Sequence, residues 1–409
     1  MSADESYASG FVEEALGLPA GSLNPSQVPV PLRNAVLSSV SGDEAAASAA
    51  PAVDGLVNAF RDKLEAEALE STGLFASKAK WPGGAPFAAC LTHDVDTISR
   101  PISQVLERRT RFAASDLLLA MAGARSLYDN IDYVASIEGA RNVRSSFYLL
   151  SSGYDLASVS AEVGRLLKGG WEVGLHGDFG THDSLGAMRA AVEKLKAGTG
   201  VVPEGLREHY LRFDYGKTWE IAEEAGFTYD TSVGNRDKLG FRIGVSTPFH
   251  PPARGGGRMK ILELPMALMD TTLWGYLKLD EEKGLEEARS LIESVSKVNG
   301  LFTLLWHQES VRMKGGRIYP KVVDELVSRK AFVAGGAAIA NWWRARAAPL
   351  RMAERGAGFD VDDAPKGLCV SFRAKADRKA TVTGGKLVKG GASGAAVADG
   401  GKLTVRFEG

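Results

Sequence analysis

At 409 residues with 44% apolar and 24% charged side chains, the chain is too long for one small binding module and too apolar for wholesale disorder. Its 49 basic and 50 acidic residues leave a net charge of -1, which gives no general field for nucleic acid or an anionic membrane. Two cysteines, Cys90 and Cys369, stand in no metal-ligand spacing, so no disulfide framework or zinc ribbon is expected, and a reducing compartment is. The start, Met1-Ser2-Ala3-Asp4-Glu5, lacks the basic and apolar stretches of a signal peptide, and no apolar run reaches a membrane span. A cytoplasmic protein is expected.

In chain order, residues 1–84 read as an N-terminal extension, with helical spacing at Leu56, Phe60, Leu64 and Ala68. Residues 85–348 then alternate short apolar runs with amphipathic stretches. Strands are expected at 87–92, 145–150, 171–175, 205–207, 227–229, 261–265, 301–306 and, weakly, 331–334. Helices are expected at 159–168, 185–197, 218–225, 285–298 and 321–329. Repeated β-α units of this number and length imply an α/β fold, a distorted TIM-like barrel of seven or eight units. Residues 357–409 turn Gly- and Lys-rich, with alternation at Leu368, Val370, Phe372 and at Leu403, Val405, Phe407, and read as a small β-rich C-terminal appendage.

Groups able to bind metal or move protons gather where candidate strands end. Asp94 and Asp96 are two apart, so in extended chain both carboxylates face one way, and His93 faces the other. His176 follows Val173-Gly174-Leu175; Arg207 and His209 follow Gly205-Leu206; Asp230 follows Thr228-Tyr229; His307 follows Leu304-Leu305-Trp306. Four of the six histidines thus lie within three residues of a strand end. In a parallel barrel these ends meet at one mouth. Singly, each group reads more readily as a solvated rim residue or a helix cap; their joint placement points to a site. One Asp, one or two His and a second free Asp suit metal-assisted hydrolysis, in which a divalent cation acidifies water and polarises a carbonyl while a carboxylate and a histidine move protons. His250 reads as a loop or rim residue.

In these motifs, His93-Asp94-Val95-Asp96, Glu172-Val173-Gly174-Leu175-His176-Gly177, Leu206-Arg207-Glu208-His209-Tyr210 and Leu304-Leu305-Trp306-His307, the chain resembles the polysaccharide deacetylase family of NodB-homology carbohydrate esterases, over residues 85–345. The resemblance is to a branch whose first motif is His-Asp-Val-Asp. It implies Asp94 as catalytic base, Asp96 and His176 as ligands of a divalent metal, expected to be zinc, Arg207 as the arginine that orients the base, and His307 as general acid. Asp230 is similar to a strand-end acid that tunes that histidine. The second motif departs from the family: Gly180 stands where the other ligand histidine is expected, leaving His182, Asp178 or no third protein ligand. His209, Tyr210 and Trp306 are candidates for substrate binding. The implied activity is hydrolysis of an N-acetyl amide on an amino sugar of a glycan or an activated sugar precursor. The alternatives are a C–N hydrolase of small non-sugar amides or ureides, and a non-catalytic glycan-binding protein with a degenerate barrel.

Overall fold

Three helices open the chain: α1 (Ala3–Leu16), α2 (Val30–Ser41) and α3 (Ala52–Ser71). Ser2 and Glu5 start α1 as a reciprocal capping box, and Gly17 and Gly42 end α1 and α2 in the left-handed conformation. The computed structural model describes residues 2–353, 357–375, 379–389 and 393–408. The buried faces of these helices, including Phe11, Val36 and Phe60, join the hydrophobic core that lies outside the barrel sheet. Asp54 of α3 adds a polar tie: its buried carboxylate accepts from Ser246 N at 2.7 Å and pairs with Lys80 at 3.5 Å.

After β1 (Leu74–Lys78) the barrel strands follow: β2 (Ala88–Val95), β3 (Ser146–Leu150), β4 (Glu172–Gly177), β5 (Gly205–Glu208), β6 (Tyr229–Asp230), β7 (Leu262–Glu263), β8 (Met266–Met269), β9 (Leu301–Leu305) and β10 (Phe332–Ala334). All pair in parallel, in the order β7-β6-β5-β4-β3-β2-β9-β8, and β10 takes the lower end of the β2 edge that β3 occupies higher up. The two edges of this sheet, β7 and β8, are successive stretches of one segment. Pro265 sits between them, and with no N–H to offer it interrupts the ladder. The single strand expected at 261–265 is therefore the first half of a broken one, and the sheet curls until its edges meet at that break.

Strand alternation sorts the side chains. On β2, Ala88 and Cys90 enter the barrel interior, and Ala89, Leu91 and Val95 pack outward under the helices. Inside, the hydroxyls of Tyr148 and Tyr229 meet at 2.7 Å. Tyr229 needs Gly205 beside it, since a Cβ there would lie 2.1 Å from its ring and hydroxyl.

The remaining strands are β11 (Leu350–Met352), β12 (Gly358–Ala364), β13 (Cys369–Ala374), β14 (Lys379–Thr383), β15 (Gly385–Lys389), β16 (Ser393–Ala398) and β17 (Gly401–Glu408). They form two antiparallel sheets, β1-β13-β16-β15 and β11-β12-β17-β14. Leu368, Val370, Phe372, Leu403, Val405 and Phe407 fill the core between them. β1 pairs with β13 from Leu74↔Ala374 to Lys78↔Val370, so part of the expected N-terminal extension is a strand of the C-terminal unit. Both cysteines are free and buried. Among the described residues, no helix is long and apolar enough to cross a membrane.

Candidate active site

At the C-terminal ends of the barrel strands, Asp94, Asp96, His176, His209 and His307 share the wall of one cavity of about 510 Å³. His176 is buried in β4, and its Nδ1 donates to the Arg207 carbonyl at 2.8 Å. That bond leaves Nε2 directed at the carboxylates, 3.3 Å from Asp96 and 3.5 Å from Asp94. His209 lies two residues beyond Arg207, which pairs with His176 across β4 and β5, so alternation returns it to the same face. The His176 and His209 rings are 4.9 Å apart. One ligand atom each from Asp96, His176 and His209 lie within 4.8 Å of one another.

The donor set fits a divalent cation. Asp96 Oδ1, Asp94 Oδ1 and His209 Nδ1 are buried with no hydrogen-bond partner, and two imidazoles with one carboxylate suit zinc. Burial and the neighbouring His176 push the His209 pKa down to about 4, so near neutrality the ring is uncharged and able to ligate. Burial works against the Asp96 carboxylate, but the His176 ring 3.3 Å away and the positive charge of His307 hold it below its usual range. His176 is lowered by burial and raised more by Asp94 and Asp96, for a net upward shift.

His307 follows β9, the ring neighbour of β8. Asp270, directly after β8, is fully buried and accepts from His307 Nδ1 at 2.7 Å and from His307 N at 3.2 Å. Burial lowers the His307 pKa, but this pairing outweighs it, and the pKa stands well above the usual value. The other ring nitrogen, Nε2, is 3.9 Å from Asp96 and faces the cavity.

Tyr210 and Leu211 both adopt left-handed backbone, with φ of 59° and 52°. Such residues cost roughly 1–3 kcal/mol each and persist where packing over-determines them. Here Leu211 is anchored among Met266, Met269 and Leu305, and the turn stacks Tyr210 on His209 at 4.0 Å.

No protein-family profile matches the chain, and no curated protein matches it. Among solved structures it is similar to a Mycobacterium smegmatis protein provisionally named a polysaccharide deacetylase, at 22% identity and a TM-score of 0.48, over 65% of this chain and 93% of that one. It is similar at 14% identity and a TM-score of 0.34 to a polysaccharide deacetylase from Bacillus cereus, over 61% and 91%. A CE4 family pseudoenzyme from Bacillus anthracis is similar at 11% identity and a TM-score of 0.35, over 62% and 65%.

Four expected roles change in the structure. His182 is outside the cavity: Gly180, at φ 94°, turns the chain into the turn Thr181–Asp183, where the His182 carbonyl accepts from Thr218. Asp178 is engaged by the hydroxyls of Ser151 and Ser152, and it is His209 that clusters with Asp96 and His176. Asp230 does not reach His307, because β6 ends away from β9; its carboxylate accepts from Ser232 N and Oγ, beside a Glu263 whose pKa burial and Asp230 raise well above the usual range. Trp306 alternates outward, fully buried against Tyr319 with its indole N–H on the Gly316 carbonyl, and is not part of this cavity's wall. Arg207 is fully buried beneath the site. Its guanidinium donates to Thr92 and Thr231, not to Asp94, and lies over the Tyr148 ring. Tyr210 lines the cavity. His93 is structural: its ring nitrogens meet the Trp306 carbonyl and the Glu138 carboxylate. His250 lies beside α1, 3.7 Å from Glu14. Asp270 was missed because Pro265 reads as a strand end, although Met266-Ala267-Leu268-Met269 before an acid repeats the pattern found at the other strand ends.

Proposed function

We propose that this chain is a hydrolase that removes an acyl group, an acetyl in the first instance, from the amide nitrogen of an amino sugar in a glycan or glycan precursor. The observation that carries this reading is that Asp94 and His307 both border the Asp96, His176 and His209 cluster in one open cavity, Asp94 at 3.5 Å from His176 and His307 at 3.9 Å from Asp96. Those three residues would hold a divalent cation, zinc by donor chemistry. When bound, the cation supplies Lewis-acid polarisation of the acyl carbonyl and acidifies water.

The chain's own groups supply the proton transfers. Asp94 is nearly fully buried with one oxygen unpartnered, placed to take a proton from the attacking water. His307, kept protonated by Asp270, presents Nε2–H to the leaving nitrogen, which must gain a proton to depart as an amine. A protein that only binds glycan has no use for a buried carboxylate and an acid-paired imidazole in the same cavity. The test is acetate release from N-acetylated amino sugars by the purified, zinc-loaded chain, with metal content measured alongside. Glycan binding without acetate release would favour the binding-protein reading, and turnover restricted to small non-sugar amides or ureides would favour that alternative.

A further inference from the structure

The rim of the same cavity carries charge that hydrolysis of a neutral acetamide does not require. Arg108, Arg111 and Arg236 line it, whereas the acids of its wall, Asp94 and Asp96, belong to the reaction centre. None of the three arginines is in an ion pair among the described residues. Asp116, the acid of the neighbouring helix Ala114–Met121, is taken by Arg125 and Arg317 instead. In a chain whose net charge is -1, three arginines at one mouth, none of them in an ion pair among the described residues, form a local positive field.

Two of these cations are also held in place. The Arg111 carbonyl accepts from Lys314 N and the Arg236 carbonyl from Thr272 Oγ1, both at 2.7 Å. Their guanidinium groups lie 5.8 Å from the Trp274 ring and 5.9 Å from the Tyr276 ring, rings that themselves line the cavity. At those distances the rings attract the guanidinium charge, and neither guanidinium donates to an acceptor among the described residues, so the N–H groups are available.

A carboxylate offers one charge and matches one guanidinium fork. A phosphoryl or diphosphoryl ester offers more charge and enough oxygens for several forks. We infer that the substrate is an N-acylated amino sugar bearing a phosphoryl or diphosphoryl ester, gripped by Arg108, Arg111 and Arg236 while its amide lies between Asp94 and His307. This rests on the amide-hydrolase reading. A nucleoside diphosphate sugar and a lipid diphosphate sugar share the recognised chemistry. The lipid source has one feature in its favour: the helices flanking Arg108 and Arg111 expose Ile102, Leu106, Leu118 and Met121.

The test compares kcat/KM of the zinc-loaded full chain on N-acetylglucosamine, its 1-phosphate, its nucleoside diphosphate ester and its polyprenyl diphosphate ester in micelles. The phosphorylated forms should exceed the neutral sugar by roughly a hundredfold, mainly through KM, and the excess should shrink as salt rises. Arg111→Gln and Arg236→Gln should each lower that ratio roughly tenfold, with Arg→Lys restoring it only in part. Preference between the last two esters identifies the source. Calorimetry with glucose 1-phosphate, which has no amide, reads the arginine site without turnover. Equal kcat/KM for neutral and phosphorylated sugars overturns the arginine inference and leaves amide hydrolysis standing. If no sugar releases acetate, the hydrolase reading fails, and glucose 1-phosphate binding no tighter than glucose then overturns the arginine site as well.

Discussion

Asp270→Asn keeps size and shape but removes the charge that holds the proton on His307. The single carbonyl oxygen of asparagine can keep the place of Oδ1, accepting from Thr271 N and His307 Nδ1, and only the longer 3.2 Å bond from His307 N is given up. At an effective dielectric of about 20, unit charges about 4 Å apart interact by roughly 4 kcal/mol. Lost wholly from the transition state, that is about three decades in rate at 1.36 kcal/mol per decade, inside the roughly 10²- to 10⁴-fold range for general acid catalysis. Burial, now unopposed, should carry the alkaline limb of kcat/KM to lower pH, while zinc content stays unchanged. Folding raises the His307 pKa above its unfolded value of about 6.5, so the pair stabilises the native state fully below that pH. The contribution is lost as pH climbs through the folded-state pKa. The stability gap between wild type and variant should therefore be widest on the acid side of neutrality and close at alkaline pH. Both limbs and both denaturation midpoints are read on one pair of proteins. An alkaline limb that does not move, with turnover within a few fold of wild type, would show that His307 is not the acid.

Asp96→Ala, His176→Ala and His209→Ala should each abolish stoichiometric zinc binding, whereas His182→Ala and Asp178→Ala should retain it; elemental analysis of the dialysed proteins decides, and retention in the His209 variant refutes the third-ligand assignment. Asp94→Asn should lower kcat by roughly 10²- to 10⁴-fold with zinc still bound, and near wild-type turnover would exclude Asp94 as the base. Phe372→Ala strips a buried ring that packs against Phe359 and Phe407, and should cost about 3–5 kcal/mol by urea denaturation. Because β1 pairs with β13, that loss should reach the chain ahead of the barrel, and a shortened chain ending near Gly356, which lies outside the described residues, should expose Leu74 and Ala76 and lose solubility.

Local periodicity was enough to place most barrel strands and to read Asp94, Asp96, His176 and His307 as strand-end groups, because backbone alternation and helix period act over a few residues. It also separated His93 from Asp94 onto opposite faces. The same alternation, applied one step further along Arg207-Glu208-His209, would have put His209 beside His176. Other outcomes depended on which strands become neighbours, and no local pattern encodes that. Asp270 meets His307 because β8 lies beside β9 in the curled sheet, while Asp230, with an equally suggestive position, ends next to β7 and Glu263. His182 is removed from the site by a single left-handed glycine. β1 leaves the N-terminal region to complete a sheet with β13, nearly three hundred residues later, because Leu74 and Ala76 find their apolar cover there. The sequence by itself determined which residues have the side chains for chemistry; only the closure of the ring decided which of them lie together, since burial and pairing depend on neighbours far away in the chain.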